Sequence, residues 1–183
     1  MKKQDNNSNT QKFSCGRFKK LFLLLFVVLF SSCQIQFKMN GASIDYTQIR
    51  TISIIDFPNR ASLVYPPLEQ RFNEALKDIY TRQTRLIMVP RNGDLQLEGE
   101  ITGYNLTPMA IGADAFAQET RLTVSIKVRF VNTKDSTQDF EAGMSAHQTF
   151  PSSRMITEVQ DELIEVIVRE LVENIFNRTV ANW

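Results

Sequence analysis

Between residues 121 and 131 the chain alternates without a break: Leu122, Val124, Ile126, Val128 and Phe130 are apolar, and Thr123, Ser125, Lys127 and Arg129 between them are polar. Side chains on a β-strand point to opposite faces in turn, so a period of two held this long is a half-buried strand. Such a strand needs neighbours for its backbone and a cover for its apolar face. The run from Gln138 to Phe150 offers a neighbour, reached through a turn at Asn132 to Thr137. The cover comes from two segments of helical period. Between Pro66 and Thr81, Leu68, Phe72, Ala75, Leu76, Ile79 and Tyr80 share one face, with prolines tolerated in the first turn. From Pro151 to about Arg178 a second stripe carries Val159, Leu163, Val166, Ile167, Leu171, Val172 and Ile175. Ser152 and Ser153 offer caps for that helix, and Thr157 with Gln160 offers a capping box.

Further strands are expected at Gln34 to Met39, Thr51 to Phe57, Leu86 to Val89 and Leu95 to about Leu106. Asn92-Gly93 suits a hairpin turn between the last two. Gly99 and Gly103 lie four apart on the Leu97 and Ile101 face, which predicts a bend or the close approach of another element. The apolar, small-residue segment from Thr107 to Ala117 reads as a loop, folded back over the core or inserted into a partner. The order of elements argues an α+β domain, an antiparallel or mixed sheet with two helices packed on one face. At the C-terminus Trp183, the chain's only tryptophan, is expected to staple the helix end to the sheet.

The N-terminus constrains where this domain works. Lys2, Lys3, Lys12, Arg17, Lys19 and Lys20 stand against the single acid Asp5, ahead of ten apolar residues from Leu21 to Phe30. A membrane-crossing helix needs about 20 apolar residues, so the run reads as a signal that is removed. Leu29-Phe30-Ser31-Ser32-Cys33 resembles the bacterial lipobox, with Phe30 where Leu, Ala or Val is commoner. On that reading Cys33 takes a diacylglycerol thioether and becomes the first residue of the mature protein, with residues 1–32 a cleaved lipoprotein signal peptide and 33–183 the domain. The alternative is ordinary secretory cleavage near Ser31 or Ser32, which leaves an unpaired thiol in an exported domain.

Processing changes the charge. Six of the 21 lysines and arginines but one of the 20 acids precede Cys33, so the mature chain holds 15 bases and 19 acids and carries about −4. A mildly acidic domain without a basic face is a poor partner for nucleic acid. Cys15 lies in the leader, so no disulfide forms within the mature chain.

Catalytic signals are sparse. One histidine excludes His-pair zinc motifs, and no GxSxG, phosphate-loop or dinucleotide fingerprint is present. No catalytic residue, metal ligand or cofactor site is assigned. His147, flanked by Ala146, Gln148 and Thr149, reads as an exposed or hydrogen-bonded strand histidine; a periplasmic hydrolase built on it is the enzymatic rival. Glu98 and Glu100 share a strand face and read as solvated. Asn105-Leu106-Thr107 and Asn177-Arg178-Thr179 match the glycosylation pattern by chance.

Several stretches together resemble a known family. They are Gly41-Ala42-Ser43-Ile44, Thr51-Ile52-Ser53-Ile54 running to Phe57-Pro58-Asn59, the helix from Leu68 to Asp78, Gly93-Asp94-Leu95 continuing to Tyr104, Arg121-Leu122-Thr123-Val124, and Ile175-Phe176-Asn177 running to Asn182-Trp183. With Cys33 ahead of them they look like the LptE family, and more narrowly its Bacteroidetes-type branch. The resemblance implies an outer-membrane lipoprotein, lipid-anchored and facing the periplasm. It would fill the lumen of the large β-barrel LptD and help place lipopolysaccharide in the outer leaflet. It also implies two helices packed on a sheet. Of functional residues only Cys33 carries over. Gln34 after the cysteine favours the outer membrane by analogy with lipoprotein sorting. Lys127, Arg129, Glu98 and Glu100 are expected to form a mixed-charge surface suited to a barrel's polar interior. A stand-alone periplasmic lipid- or glycan-binding lipoprotein is the remaining alternative, and it would need a sizeable apolar pocket.

Overall fold

The computed structural model describes residues 44–63, 65–110 and 117–180, all within the compact unit Asn40–Trp183. In chain order the elements are β1 (Thr51–Ile54), α1 (Pro67–Gln83), β2 (Ile87–Met88), β3 (Leu95–Ala110), β4 (Ala117–Asn132), a 3-10 turn (Ser136–Gln138), β5 (Phe140–Pro151) and α2 (Ile156–Thr179). One sheet runs β2-β1-β3-β4-β5. β1 is parallel to both neighbours, while β3, β4 and β5 form an antiparallel meander. The mixed sheet with two helices is the α+β arrangement expected.

The alternation that defined β4 decides what is buried. Leu122, Val124, Ile126, Val128 and Phe130 are at most 1% exposed and join Leu97, Ile101, Phe72, Leu76, Ile164, Ile167 and Leu171 in one core. Each such side chain contributes roughly 1.5–3 kcal/mol on leaving water. The helices meet through Tyr80 and Phe176, whose rings are 5.3 Å apart edge to face. The fully buried Tyr80 hydroxyl pairs with Thr179 Oγ1. Burial raises the phenol pKa far above its ordinary value. Thr179 of the second glycosylation pattern is therefore a core residue.

After Ile54 the chain stays beside β3 irregularly: Ile55 N–H donates to Leu97 O (2.9 Å), Ile101 N–H to Pro58 O (3.0 Å) and Arg60 N–H to Ile101 O (2.8 Å). The buried Asn73 on α1 satisfies the backbone in between. Its Oδ1 accepts from Phe57 N–H (2.8 Å), and its Nδ2 donates to Phe57 O (3.2 Å) and Glu69 O (2.9 Å). Phe57 lies over Gly99, where a Cβ would come within 2.4 Å of the ring. That is the close approach expected there.

Gly93, Asp94 and Leu95 each have a distinct task. A Cβ on Gly93 would lie 2.5 Å from Ser53 N, so only glycine lets the chain cross β1. Asp94 Oδ2 accepts from Arg50 N–H (2.9 Å), Thr51 N–H (3.0 Å) and Thr51 Oγ1 (2.9 Å), while Oδ1 pairs with Lys134 Nζ at 3.1 Å. The bond from Arg50 N–H, and then that from Thr51, holds the carboxyl well below the usual carboxylate range. Leu95 is buried and opens β3.

Four expectations need correction. Asn92-Gly93 makes no hairpin: Asn92 has φ 57°, but β2 and β3 are parallel to β1 and lie on either side of it, so the turn carries the chain across a strand. Gly103 does not share the Ile101 face, because the register shifts between Ile101 and Gly103; Tyr104 takes the inward position and Gly103 lies opposite Ser125. Thr107 to Ala110 and Ala117 are strand, paired in the β3–β4 ladder. Past Ile101 β3 has one strand neighbour, and such an edge accommodates Pro108. Finally, α2 begins after Met155 with no side-chain cap. Gln160 donates instead to the Tyr104 hydroxyl (2.6 Å) and Ser152 pairs with Thr120 (3.0 Å), so tertiary partners displace the local motif. The strand at 34–39 and Trp183 lie outside the described residues, as does the loop segment 111–116.

Asn73→Ala leaves Phe57 N–H buried without an acceptor and should lower stability by about 1–3 kcal/mol in urea unfolding, against almost no change for the exposed Gln70→Ala. Asp94→Asn should cost about 1–2 kcal/mol at pH 7. Because the folded-state pKa is depressed, that contribution is complete above the unfolded value of about 3.9 and fades as pH falls below it. The difference in unfolding midpoint between wild type and Asp94→Asn should therefore narrow between pH 6 and pH 2.5.

Candidate functional site: the uncovered face of the sheet

The side chains of β3, β4 and β5 that point away from the helices form a broad polar surface. Register aligns them in rows. Glu98, Arg129 and Glu141 make the first, Glu100, Lys127 and Gly143 the second, and Gly103, Ser125 and Ser145 the third. Asn105, Thr123 and His147 follow, then Thr107, Arg121 and Thr149. Ser53, which β1 would add to this side, is buried and bonds to Gly93 N–H (3.3 Å).

One end of the face is a charge lattice. Arg129 Nη1 lies 2.7 Å from Glu98 Oε1, and Lys127 Nζ lies 2.6 Å from Glu141 Oε1. The hydrogen bond to Glu141 raises the Lys127 pKa, and the same bond lowers that of Glu141. Glu98 and Glu100 share a face as the sequence implied, but each stands opposite a cation, so they do not act as an isolated carboxylate pair. Apart from His147 and Arg121, the rest of the face is hydroxyl, amide and glycine. Such a surface can hydrogen-bond to polar groups over a wide area, and its short side chains let a partner approach closely.

His147 is exposed on this face, in a row with Asn105 and Thr123 and no carboxylate. Among the described residues no cluster of His, Cys, Asp or Glu is placed to hold a metal ion. Cys33 lies outside the described residues. Arg121 was not singled out by the sequence; it is the central residue of its row, with Nε buried and unpartnered among the described residues. The parity of β4 was the available signal, and the bulge in β3 hid which of its residues stand beside Arg121.

Two larger hollows lie elsewhere. A cleft of about 1330 Å³ between α1 and α2 is floored by Ala75, Ile79, Val168 and Val172 and rimmed by Arg71, Asp78, Arg82, Glu165 and Arg169. A second, about 530 Å³, is bounded by Phe130, Phe140, Asp135, Lys134 and Arg178. Both are edged with charge. No helix of the described residues is long and apolar enough to cross a membrane.

The family model LptE, described as lipopolysaccharide-assembly, matches residues 49–179. The chain belongs to the LptE family. The match takes in every strand and helix named above, and it makes this a chain of lipopolysaccharide assembly and hence of the bacterial cell envelope. No curated protein matches the sequence.

Solved structures resemble this LptE-family chain at low identity. The hypothetical protein CT253 from Chlamydia trachomatis has a TM-score of 0.51 at 10% identity, over 73% of this chain and 99% of that one. A minor lipoprotein from Acinetobacter baumannii scores 0.49 at 11% identity, over 73% and 94%. The uncharacterized lipoprotein B from Nitrosomonas europaea scores 0.49 at 12%, over 73% and 83%. The Chlamydia protein shares the fold, and its likeness says no more than that.

The pairs on the uncovered face are solvent-exposed, and such pairs contribute little to stability because water screens them. Arg129→Ala and Lys127→Ala should therefore move the thermal midpoint by no more than about 2–3 °C. A larger shift in differential scanning calorimetry would show that the lattice is structural.

Proposed function

We propose that the chain is an outer-membrane lipoprotein, cleaved before Cys33 and lipidated on it, whose domain from residue 33 to 183 fills the lumen of the LptD β-barrel and helps lipopolysaccharide reach the outer leaflet. The family match over residues 49–179 carries the reading. The uncovered face of the sheet supports it physically. The interior of a transmembrane barrel is polar, and a plug must meet it with a surface that keeps hydrogen-bonding groups satisfied. Rows of Ser, Thr, Asn and Gly beside a Glu–Arg–Glu row supply such a surface. A lipid on Cys33 would hold the domain at the membrane that contains the barrel.

The test is to grow cells with a radioactive fatty acid and extract them in mild detergent. Label on the wild type and none on Cys33→Ala is the expected outcome, together with co-purification of a barrel of outer-membrane size. A wild-type chain extracted unlabelled, or labelled but free of any barrel, would refute the anchor or the partnership respectively. Replacing Lys127 and Arg129 by glutamate should weaken barrel recovery while leaving the label unchanged.

A further inference from the structure

The sheet ends in two very different edges. β2 is two residues long, and short length is one way of blunting an edge. β5 is the terminal strand on the other side and runs for 12 residues. It pairs with β4 from Phe140 to Pro151 with no shift of register, so its outer edge is straight and unbulged. Within β5 itself, and among the described residues that could cover it, the devices that normally protect such an edge are missing. β5 contains no lysine or arginine, its proline is its last residue, and its helix-side residues Phe140, Ala142, Met144, Ala146, Gln148 and Phe150 include no charge. Outward-facing N–H and C=O groups along such a strand form a template for another strand.

We propose that the outer edge of β5 pairs antiparallel with β5 of a second copy of this chain about a two-fold axis at Met144, joining two five-stranded sheets into one. The strand is self-complementary in that register. Glu141 and His147 are its only ionisable residues, and the axis places each opposite the other, twice by symmetry. Gly143 then faces Ser145 and Ala142 faces Ala146, so small side chains flank the axis on both sheet faces. Space beside Gly143 is open: the nearest atom to a Cβ there would be Ile126 O at 3.9 Å. Both Glu141 and His147 are exposed. A two-fold pairing of one patch with itself is also the commonest way soluble chains associate. The association requires no barrel and is independent of the function proposed above.

Cysteine substitution in the full chain tests the register, with the protein extracted in mild detergent and the parent chain, which keeps Cys15 and Cys33, oxidised alongside as the control for any linking through those residues. Residues directly opposed across an antiparallel pair have Cα atoms about 4.5–5.5 Å apart, within disulfide range. Met144→Cys should therefore link two chains under mild oxidation. Gln148→Cys should not, since the two copies of residue 148 would lie about 26 Å apart along the strands. Analytical ultracentrifugation then reads the charge pairing: His147→Lys should associate about tenfold more tightly than His147→Glu, which sets two carboxylates against each other on each side of the axis. Failure of Met144→Cys to link, equal linking by both cysteine variants, or equal association of the two His147 variants would overturn the proposal.

Discussion

The carboxylate of Asp94 secures the place where this chain passes from one side of β1 to the other. Between β2 and β3 the backbone passes β1 in a handful of residues, and both β2 and β3 end up parallel to it. Such a crossing brings unpaired N–H groups together at the start of β1. Asp94 accepts from those of Arg50 and Thr51, and its own N–H donates to Thr51 Oγ1 (2.9 Å). Its carbonyl accepts from Thr133 N–H (2.9 Å), tying in the end of β4. With the crossing held, β3 starts in register beside β1, and β4 and β5 follow as a plain meander.

That arrangement divides the labour between the two sides of the sheet. The helices, with Asn73 satisfying the irregular backbone at Phe57, take most of the apolar surface of β3, β4 and β5. The opposite side is left to charge, hydroxyl and amide groups that gain little by folding and are free to meet something else. At one end of the helix layer the rings of Tyr65 and Tyr104 lie 6.4 Å apart, tilted by 31°. Tyr65 also donates to Asp161, which pairs with Arg71 at 2.8 Å, so α1, α2 and β3 are joined there. The sheet thus has an apolar side closed by the helices and a polar side left uncovered.

Much of this was legible from the residues. The period of two through Leu122 to Phe130 identified β4 and its inward face, and the helical stripes identified both helices. Where the reading failed, a longer-range contact had overruled a local signal. Asn92-Gly93 does take a positive φ, but the hairpin it suggested depends on which strands pair, and β1 intervenes. The phase of β3 was lost at Thr102 because a bulge shifts side chains to the other face without altering composition. Thr107 to Ala110 looked like loop because the segment is apolar and rich in small residues, whereas the pairing with β4 continues through it. Asn73 was overlooked on an apolar helix face, since nothing in the helix itself shows that Phe57 will present bare backbone there.

What the amino-acid order determined by itself is everything that depends on spacing along one segment. It set which residues alternate, which recur at helical period, and which short motifs stand near the N-terminus, because those follow from the geometry of a strand or a helix alone. Apart from the pairing of β4 with β5, the neighbours of each strand were decided only in three dimensions. So were the parallel direction of β1 and the rows that set Glu98 beside Arg129 and place Asn105 and His147 on either side of Thr123. Each of these depends on register between distant segments, and register is settled by many contacts at once, among them a crossing that only Gly93 and the Asp94 carboxylate make possible.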